Sequence, residues 1–468
     1  MGRLLSAFLT PHPPIIISEI GRGDERKAKN TVEAMTEVGR KIAEAMPQTI
    51  LLITPHGPVF SDANAISTEL ELKGDFGQFG HSKLSYSYAN NQDLVYQIIK
   101  NSLSENIPVA QMTKEMYKRY GLDGKLDHGA LVPLHFIEKE YSDFDIVHIT
   151  YGILSPKELY LFGRQIEKAI IQQKKDVTVI ASGDLSHRLL DSGPYSFNPK
   201  GPIFDKSIME AIENCDLEAI TNFDADIAEE AGECGLRSLM ILAGILSPYE
   251  LTSDVLSYEG PFGVGYGVAA LYPGERINSD ILSSIEESQA QKLSEKRENE
   301  SEHVHLARMS LEHYIRTGGY IEVPPEISEE LLEESRPVFV TLKKNGTLRG
   351  CIGATSAQME CTAMEIIHFA VEAGTHDPRF PAVEEDELNE LTYSVDVLMP
   401  AEPISSVEEL DPDKFGVIVK KGFRKGLLLP MLEGVDTAQE QVRIALGKAG
   451  IGEDEDYTLE RFKVNRFY

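Results

Sequence analysis

The sequence of 468 residues is short of positive charge and of long apolar stretches. It has 45 lysines and arginines against 75 aspartates and glutamates, which gives a formal net charge of −30. Such a surface would repel a polyanion over most of its area, so we expect neither a nucleic acid nor an anionic membrane as the main partner. No run approaches the ~18 consecutive apolar residues of a membrane span.

Cysteine is also scarce. The four cysteines, Cys215, Cys234, Cys351 and Cys361, have no paired metal-ligand spacing, and so small a number fits a reducing compartment. No small-residue cleavage site follows the short apolar run near the N-terminus, so we expect no signal peptide. These absences together predict a cytoplasmic protein. The length is sufficient for about two or three domains.

Two short apolar runs end in the same way. The segment 49–57, TILLITPHG, predicts a strand that stops at Pro55, because proline cannot donate to a ladder, and His56 follows directly. The segment 4–12, LLSAFLTPH, has the same ending and delivers His12. One histidine beyond a strand is usually a surface loop residue. Two such endings predict that two imidazoles meet at one edge of a sheet, where α/β folds bind their ligands.

Three further segments supply side chains of the same kind. A buried strand over 176–182 is followed by His187, and His128 lies in a tight turn into a helix. An acidic turn before another apolar helix ends at Glu233. Two imidazoles and one carboxylate hold Fe(II) with open positions in non-haem oxygenases, and Zn²⁺ accepts the same ligands. These residues therefore favour a metal site, in which a histidine free of the metal would act as general base.

Strands and helices alternate as far as residue 271, which predicts an α/β fold with a mainly parallel or mixed sheet. Within this part, the polar segment 62–90 predicts no regular structure, and 110–120 predicts a helix. A strand over 261–271 is expected to be the last of the sheet.

The composition changes after this part. Residues 281–302 contain no glycine, proline or aromatic residue, which indicates a solvated helical connector or a flexible linker. We predict domains over 1–275 and 305–468, separated by an acidic polar linker over 276–304. The second domain is expected to be α+β, with a hairpin turn at Asn345-Gly346.

Four motifs occur in the first domain in a fixed order: TPHPP at 10–14, TPHG at 54–57, DHGALVPL at 127–134 and SGDLSH at 182–187. With them, residues 4–275 resemble the class III extradiol ring-cleavage dioxygenases, the family of the protocatechuate dioxygenase B subunit, and the related Memo proteins. The resemblance implies Fe(II) bound by His12, His56 and a downstream glutamate. It implies His187 as the base toward a catechol hydroxyl and His128 as a substrate contact, with a small-molecule substrate and O₂ as partners.

The third metal ligand has several candidates. Glu233 lies where the dioxygenases place their glutamate, and Glu229 and Glu230 compete with it. Memo proteins place a Cys-Gly pair there, which Cys234-Gly235 resembles. An acidic turn before a helix is also stabilised by the helix dipole without any metal. We predict Glu233 as the ligand, with Cys234 as the alternative and Fe(II), Zn²⁺ or another divalent metal as the ion.

The second domain carries LARMSLE at 306–312, LRGCIG at 348–353 and HDPRFP at 376–381. With these motifs residues 305–468 resemble the AMMECR-one family, which transfers no settled activity. The side chains that could line one cleft, with an anion site and a thiol, are Arg349, Cys351, His376, Asp377 and Arg379. Simpler explanations are that Cys351 is a small buried residue of a central strand and that Asp377 pairs locally with Arg379.

Three functions are consistent with these features. We predict an Fe(II)-dependent extradiol-type dioxygenase or related oxidoreductase with an accessory C-terminal domain. The alternative is a Memo-like metal-binding or scaffold protein without oxygenase activity. The two resemblances also imply a modification system with a radical S-adenosylmethionine partner. The chain has no Cys-x3-Cys-x2-Cys cluster, so that chemistry would belong to another protein. A homodimer is the default assembly.

Overall fold

The computed structural model describes residues 1–277, 279–344, 346–432, 435 and 437–468. It divides into two compact units, Met1–Ala290 and Gln291–Tyr468. Asn345, the first residue of the predicted hairpin turn, lies outside the described residues.

The first unit alternates strands and helices over much of its length. Its strands are β1 (Leu4–Thr10), β2 (Thr49–Thr54), β3 (Asn64–Ser67), β4 (Glu71–Phe76), β5 (His81–Ala89), β6 (Val109–Met112), β7 (Asp145–Thr150), β8 (Val177–Ser182), β9 (Tyr249–Glu259) and β10 (Tyr266–Arg276). Its helices are α1 (Ser18–Gly21), α2 (Lys29–Ala45), α3 (Gln92–Ser104), α4 (Lys114–Arg119), α5 (His128–Glu138), α6 (Pro156–Gln172), α7 (Lys200–Glu213), α8 (Leu217–Thr221), α9 (Ala225–Ala231) and α10 (Leu236–Leu246). The next helix, α11 (Leu282–Glu298), contains the boundary between the two units.

An eight-stranded mixed sheet forms the centre of the first unit, with the order β6-β3-β7-β2-β8-β1-β10-β9. Its middle four strands, β7, β2, β8 and β1, are parallel neighbours, while β10 and β9 are antiparallel additions beside β1. The four parallel strands are buried along nearly their whole length, as expected for a sheet that helices cover on both faces. The predicted α/β class is confirmed.

One apolar core lies on each face of this sheet. Helices α3, α6, α7 and α10 contribute to one core, which contains Phe162 and Ile241. Helices α2 and α5 contribute to the other, which contains Met35. Because successive side chains of a strand point to opposite faces, Leu51 of β2 belongs to the first core and Leu52 to the second.

The sequence patterns missed several strands of the first unit. The segment 62–90, for which no regular structure was expected, contains β3, β4 and β5, and the expected helix over 110–120 begins as β6. In β4 alternate residues are buried, but the buried face has only Leu72 and Phe76 as apolar side chains, with Gly74 between them. β6 is a strand because it pairs with β3, a contact that local sequence does not encode. β9 was also missed, and it forms the edge of the sheet beyond β10.

The second unit contains two antiparallel sheets. Its helices are α12 (Glu302–Thr317), α13 (Glu329–Glu333), α14 (Thr362–Thr375) and α15 (Ala438–Ala449). Its strands are β11 (Val338–Lys344), β12 (Thr347–Gly353), β13 (Leu391–Leu398), β14 (Glu402–Ile404), β15 (Gly416–Lys421), β16 (Arg424–Leu428), β17 (Thr458–Phe462) and β18 (Val464–Phe467). The sheets have the orders β12-β11-β13-β18 and β14-β17-β15-β16. This arrangement is the expected α+β class.

The acidic segment predicted as a linker over 276–304 is helical over Leu282–Glu298, so of the two expected forms the structure shows the helical one. In the part of the chain that the structure describes, no helix combines the length and the apolar character needed to cross a membrane.

Candidate metal centre

Three neighbouring parallel strands deliver histidines to one edge of the sheet. β1 and β8 end level with each other, since Thr10 pairs with Ser182, and β2 pairs with the other side of β8. His12 and His56 each follow two residues after their strand, and His187 follows β8. The carboxyl ends of these strands therefore meet at the place where an open α/β sheet binds ligands.

His12, His56 and His128 come together at this edge. Their ligand nitrogens all lie within 4.8 Å of one another, and the Nε2 atoms of His12 and His56 are 2.9 Å apart. The His56 and His128 rings stack with centroids 4.2 Å apart, and His12 meets both rings edge-on. Within the described residues, no other set of three or more His, Cys, Asp and Glu side chains has the geometry to hold a metal ion.

Hydrogen bonds orient the His12 ring. The Ser182 hydroxyl donates to the Gly129 carbonyl oxygen over 2.6 Å, so its oxygen accepts the hydrogen of His12 Nδ1 over 2.9 Å. Because Nδ1 then carries the proton, Nε2 presents a lone pair to His56 and His128. The backbone N–H of His12 also donates to Asp184 Oδ1 over 2.8 Å. In metal-binding histidines the second ring nitrogen usually donates its hydrogen to an oxygen atom, as His12 Nδ1 does here.

The imidazoles at this edge are neutral near pH 7. Burial, reinforced by the neighbouring imidazole of His56, places the pKa of His12 well below its ordinary value. Burial and His128 lower the pKa of His56, and burial and His12 lower the pKa of His128 to about 4. Burial likewise lowers the pKa of His187. A neutral imidazole is the form that binds a metal, so these histidines fit a divalent cation.

A thiol lies beside the three histidines. Cys234 Sγ is 3.7 Å from His12 Nε2 and 3.8 Å from His187 Nε2, and it accepts the Asp184 backbone N–H over 3.3 Å. Burial raises the pKa of this thiol well above its ordinary value. The same burial raises the pKa of Asp184 to about 6. Cys234 is thus placed where it could reach an ion bound by His12.

The glutamates predicted as candidates for the third metal ligand are not part of the cluster of His12, His56 and His128. Glu233 Oε2 accepts the backbone N–H of Leu236 over 2.6 Å, at the start of α10, and burial raises the pKa of this carboxyl. Glu229 and Glu230 are exposed on α9, where Glu230 accepts a hydrogen bond from Asn198. The structure therefore groups His128, rather than a glutamate, with His12 and His56. The identity of the metal ligands stays a prediction.

Some residues of the centre were not singled out from the sequence. Asp184 and Ser182 lie within the SGDLSH motif, so their position between a strand and His187 was the available signal. Tyr151, whose hydroxyl donates to the Cys234 carbonyl oxygen over 3.0 Å, follows the strand β7. His148 is buried within β7 and carries no motif, so only the tertiary structure reveals its contacts.

In the second unit the predicted cleft residues bind to one another and to the backbone. Arg379 pairs with Asp377 and donates to the Cys351 carbonyl oxygen, while the Cys351 N–H donates to Asp377 Oδ2 over 2.9 Å. Arg349 makes a two-pronged ion pair with Glu387 and donates to two carbonyl oxygens. The exposed His376 contacts Thr375 and Glu372. These contacts join β12 to the segment after α14, and a ligand-binding role stays a prediction.

Replacing Arg379 by alanine is expected to make the second unit less sensitive to acid. The Arg379 guanidinium holds the pKa of the Asp377 carboxyl well below its ordinary value. A carboxyl with a lowered folded-state pKa stabilises the fold above its unfolded pKa of about 3.9, and this contribution is lost as the pH falls further. The variant should lose about 1 kcal/mol at pH 7, because Arg379 is half exposed, and its stability should fall less below pH 4.

Chemical unfolding between pH 3 and pH 7 tests this expectation. Lys414→Ala is the control, because it removes an exposed ion pair with Asp411. If Arg379→Ala and the wild type show the same dependence on pH, the Asp377 pair does not stabilise the unit as described.

The fold and the site define a two-unit protein whose larger, α/β unit carries a histidine-rich candidate metal centre. The family model for the catalytic LigB subunit of aromatic ring-opening dioxygenase matches residues 6–269, and the AMMECR1 model matches 304–467. The chain therefore belongs to the LigB family, with an AMMECR1 domain following the LigB domain. The predicted resemblances to the ring-cleavage dioxygenase family and to the AMMECR-one family are confirmed, and the resemblance to the Memo proteins stays a prediction.

The chain is similar to proteins of other organisms. Protein CA_C1420 of Clostridium acetobutylicum is 45% identical over 463 residues, which cover 98% of this chain and 98% of that protein. A Thermotoga maritima protein is 49% identical over 170 residues, covering 36% of this chain and 98% of its own length. Among solved structures, protein JW3007 from Escherichia coli K12 is 13% identical and covers 57% of this chain and 99% of its own, with a TM-score of 0.39.

Proposed function

We propose that the first unit is a divalent-metal-dependent dioxygenase of the extradiol type, or a closely related oxidoreductase, and that the second unit is accessory. The observation that carries this proposal is the convergence of His12, His56 and His128 at the carboxyl edge of a parallel sheet. Membership of the LigB family supports the choice of ring-opening chemistry. The proposed substrate is a small aromatic diol, and O₂ is the second substrate.

The donor set suits a divalent first-row metal such as Fe(II) or Zn²⁺, because imidazole nitrogens bind both ions. His12, His56 and His128 would hold the metal, and a bound Fe(II) would supply the redox chemistry with O₂. Neighbouring groups set the orientation and the charge of these ligands. Ser182 fixes the His12 tautomer, and the neutral rings avoid the charge repulsion that three imidazolium groups would create. His12 is only 2% exposed, whereas part of the His56 side chain is accessible to solvent, so one side of the centre is open to a substrate.

His187 is the proposed general base. Its ring lies at the edge of the centre, with Nε2 3.8 Å from Cys234 Sγ, and stacks on the Tyr195 ring with centroids 6.0 Å apart. The lowered pKa keeps the imidazole neutral at pH 7, so it is able to take the proton from a substrate hydroxyl. Tyr195, which is 53% exposed, would hold the ring plane of His187 while leaving its edge free.

Oxygen uptake tests the proposal. Protein loaded anaerobically with Fe(II) should consume O₂ with one or more members of a panel of catechols and give ring-opened products. His187→Gln should lower kcat by about 10²–10⁴-fold, the usual contribution of a general base, while the iron content stays unchanged. His313→Gln, which alters an exposed histidine of the second unit, is the control. If iron-loaded wild type consumes no O₂ with any catechol, the dioxygenase proposal fails.

The position of Cys234 favours a second candidate function, a Memo-like metal-binding or scaffold protein without oxygenase activity. Its sulfur lies 3.7 Å from His12 Nε2, so a modest shift would bring it to an ion there. X-ray absorption of the metal-loaded protein separates the two candidates. A sulfur ligand at about 2.3 Å supports the Memo-like function, and a shell of nitrogen and oxygen alone supports the dioxygenase.

The proposed protein partner follows from the sequence resemblances alone, and the homodimer is only the default assembly. A radical S-adenosylmethionine protein and a second copy of this chain are both proposed, and both stay predictions. Co-purification of an iron–sulfur protein would support the first, and the mass in light scattering would decide the second. A monomer that purifies without a partner would argue against both.

A further inference from the structure

One buried carboxylate connects the two chain segments that carry His56 and His128. Asp127 Oδ2 accepts a hydrogen bond from the Thr54 hydroxyl over 2.9 Å, and Thr54 is the last residue of β2, two positions before His56. Asp127 Oδ1 accepts the Ala130 N–H over 3.2 Å and so caps α5, whose first residue is His128. Each oxygen of this one side chain therefore holds one of the two histidine-bearing segments.

The buried side chain of His148 contacts this carboxylate. His148 Nε2 lies 2.9 Å from Asp127 Oδ2, and both side chains are at most 8% exposed. On the other side of the His148 ring, Nδ1 lies 3.1 Å from Ser67 Oγ, which lies 2.8 Å from the Tyr117 hydroxyl. The ring of His148 is thus fixed at both nitrogens, and it fixes the Asp127 carboxylate in turn.

Close packing adds to these hydrogen bonds. A Cβ at Gly129 would lie 3.2 Å from Thr54 Cβ, 3.4 Å from Pro55 Cδ and 2.7 Å from Asp127 Oδ1. A side chain at this position would crowd the end of β2 and displace the capping carboxylate of Asp127, so glycine fits the close approach of α5 to β2. The approach brings the rings of His56 and His128 into their stacked contact at 4.2 Å. The hydrogen bonds of Asp127 and the packing at Gly129 therefore both indicate that the contact between α5 and β2 sets the distance between the imidazoles of His56 and His128.

We propose that Asp127 and His148 are positioning residues that hold His56 and His128 at the spacing a single divalent cation requires. This inference rests on the proposed metal-binding function and goes beyond it, because it assigns the geometry of the centre to a buried pair that does not touch the ion. The Asp127 carboxylate also places a negative charge behind two neutral ligands, which favours a cation between them.

Cobalt binding tests the proposal without any assay of activity. Co²⁺ is added to the full-length wild type, Asp127→Asn, Thr54→Val and the control Asp205→Asn, and affinity is measured by competition with a chelator. Asp205 is a matched control, since its buried carboxyl also accepts two hydrogen bonds, from Ser186 N–H and the Tyr258 hydroxyl. These bonds involve neither the segment of His56 nor that of His128. The visible ligand-field spectrum reports the coordination geometry.

Asp127→Asn is expected to weaken cobalt binding by about 10–100-fold and to change the spectrum, as substitution of groups that orient metal ligands usually does. Thr54→Val, which keeps the side-chain shape, should show a smaller change in the same direction, and it decides the question if Asp127→Asn does not fold. Asp205→Asn should match the wild type. Wild-type affinity and spectrum in both Asp127→Asn and Thr54→Val would overturn this inference alone. Failure of the wild type to bind cobalt would overturn the proposed function as well.

Discussion

Replacing His128 by alanine is expected to weaken divalent-metal binding by more than about 100-fold, because even groups that merely orient a metal ligand contribute about 10–100-fold. His128 supplies a neutral nitrogen within 4.8 Å of those of His12 and His56, and its pKa of about 4 keeps it unprotonated. Chelator competition with Zn²⁺ measures the change in Kd. Circular dichroism establishes that the variant is folded.

Glu233→Ala is the matched comparison for this prediction. The Glu233 carboxylate accepts the Leu236 N–H at the start of α10, so its loss should cost about 1 kcal/mol of stability, as for other helix-capping side chains. The metal affinity should stay at the wild-type value. The reverse outcome, with metal lost in Glu233→Ala and kept in His128→Ala, would restore the two-histidine-one-carboxylate site predicted from the sequence.

Replacing Gly163 by alanine is expected to destabilise the first unit by about 1–3 kcal/mol, the range for overpacking a tight contact. Gly163 of α6 faces Gly244 of α10. A Cβ at Gly163 would lie 2.0 Å from the Ile241 carbonyl oxygen and 2.9 Å from Gly244 Cα. Since backbone atoms are the obstacle, the helices would have to move apart. Urea unfolding followed by circular dichroism measures the loss.

Gly447→Ala is the control for Gly163→Ala. Gly447 also lies inside a helix, α15, but a Cβ there would meet nothing within 4 Å. Alanine should therefore stabilise the second unit by about 0.5–1 kcal/mol, because it restricts the unfolded chain more than glycine does. If Gly163→Ala proves as harmless as Gly447→Ala, the close contact of α6 with α10 is not as described.

The strands that deliver the histidines could be predicted from the sequence because they are short, apolar and sharply ended. The runs before His12 and His56 are buried strands of the parallel part of the sheet, and proline ends each of them. Their meeting follows from topology, since the carboxyl ends of parallel strands lie at one edge. The helix that begins at His128 was also foreseen, and Asp127 caps it.

The grouping of His128 with His12 and His56 could not be predicted in this way. It depends on the close approach of α5 to β2, which Gly129 permits and Asp127 maintains. Neither contact leaves a periodic signal in the sequence. The strands β4, β5 and β9 were missed for a different reason. β4 pairs with β5 and β9 pairs with β10 across short connections, but each of these strands has many polar residues, so none of them shows the apolar run that predicts a strand.

Metal analysis of the wild type and His12→Ala, after anaerobic purification and loading with one divalent metal, tests whether the three histidines form a metal centre. We expect one equivalent of metal per wild-type chain and none in His12→Ala, since His12 is the buried imidazole whose lone pair Ser182 directs at the centre. A wild type that binds no metal, or a His12→Ala variant that retains a full equivalent, would contradict this expectation.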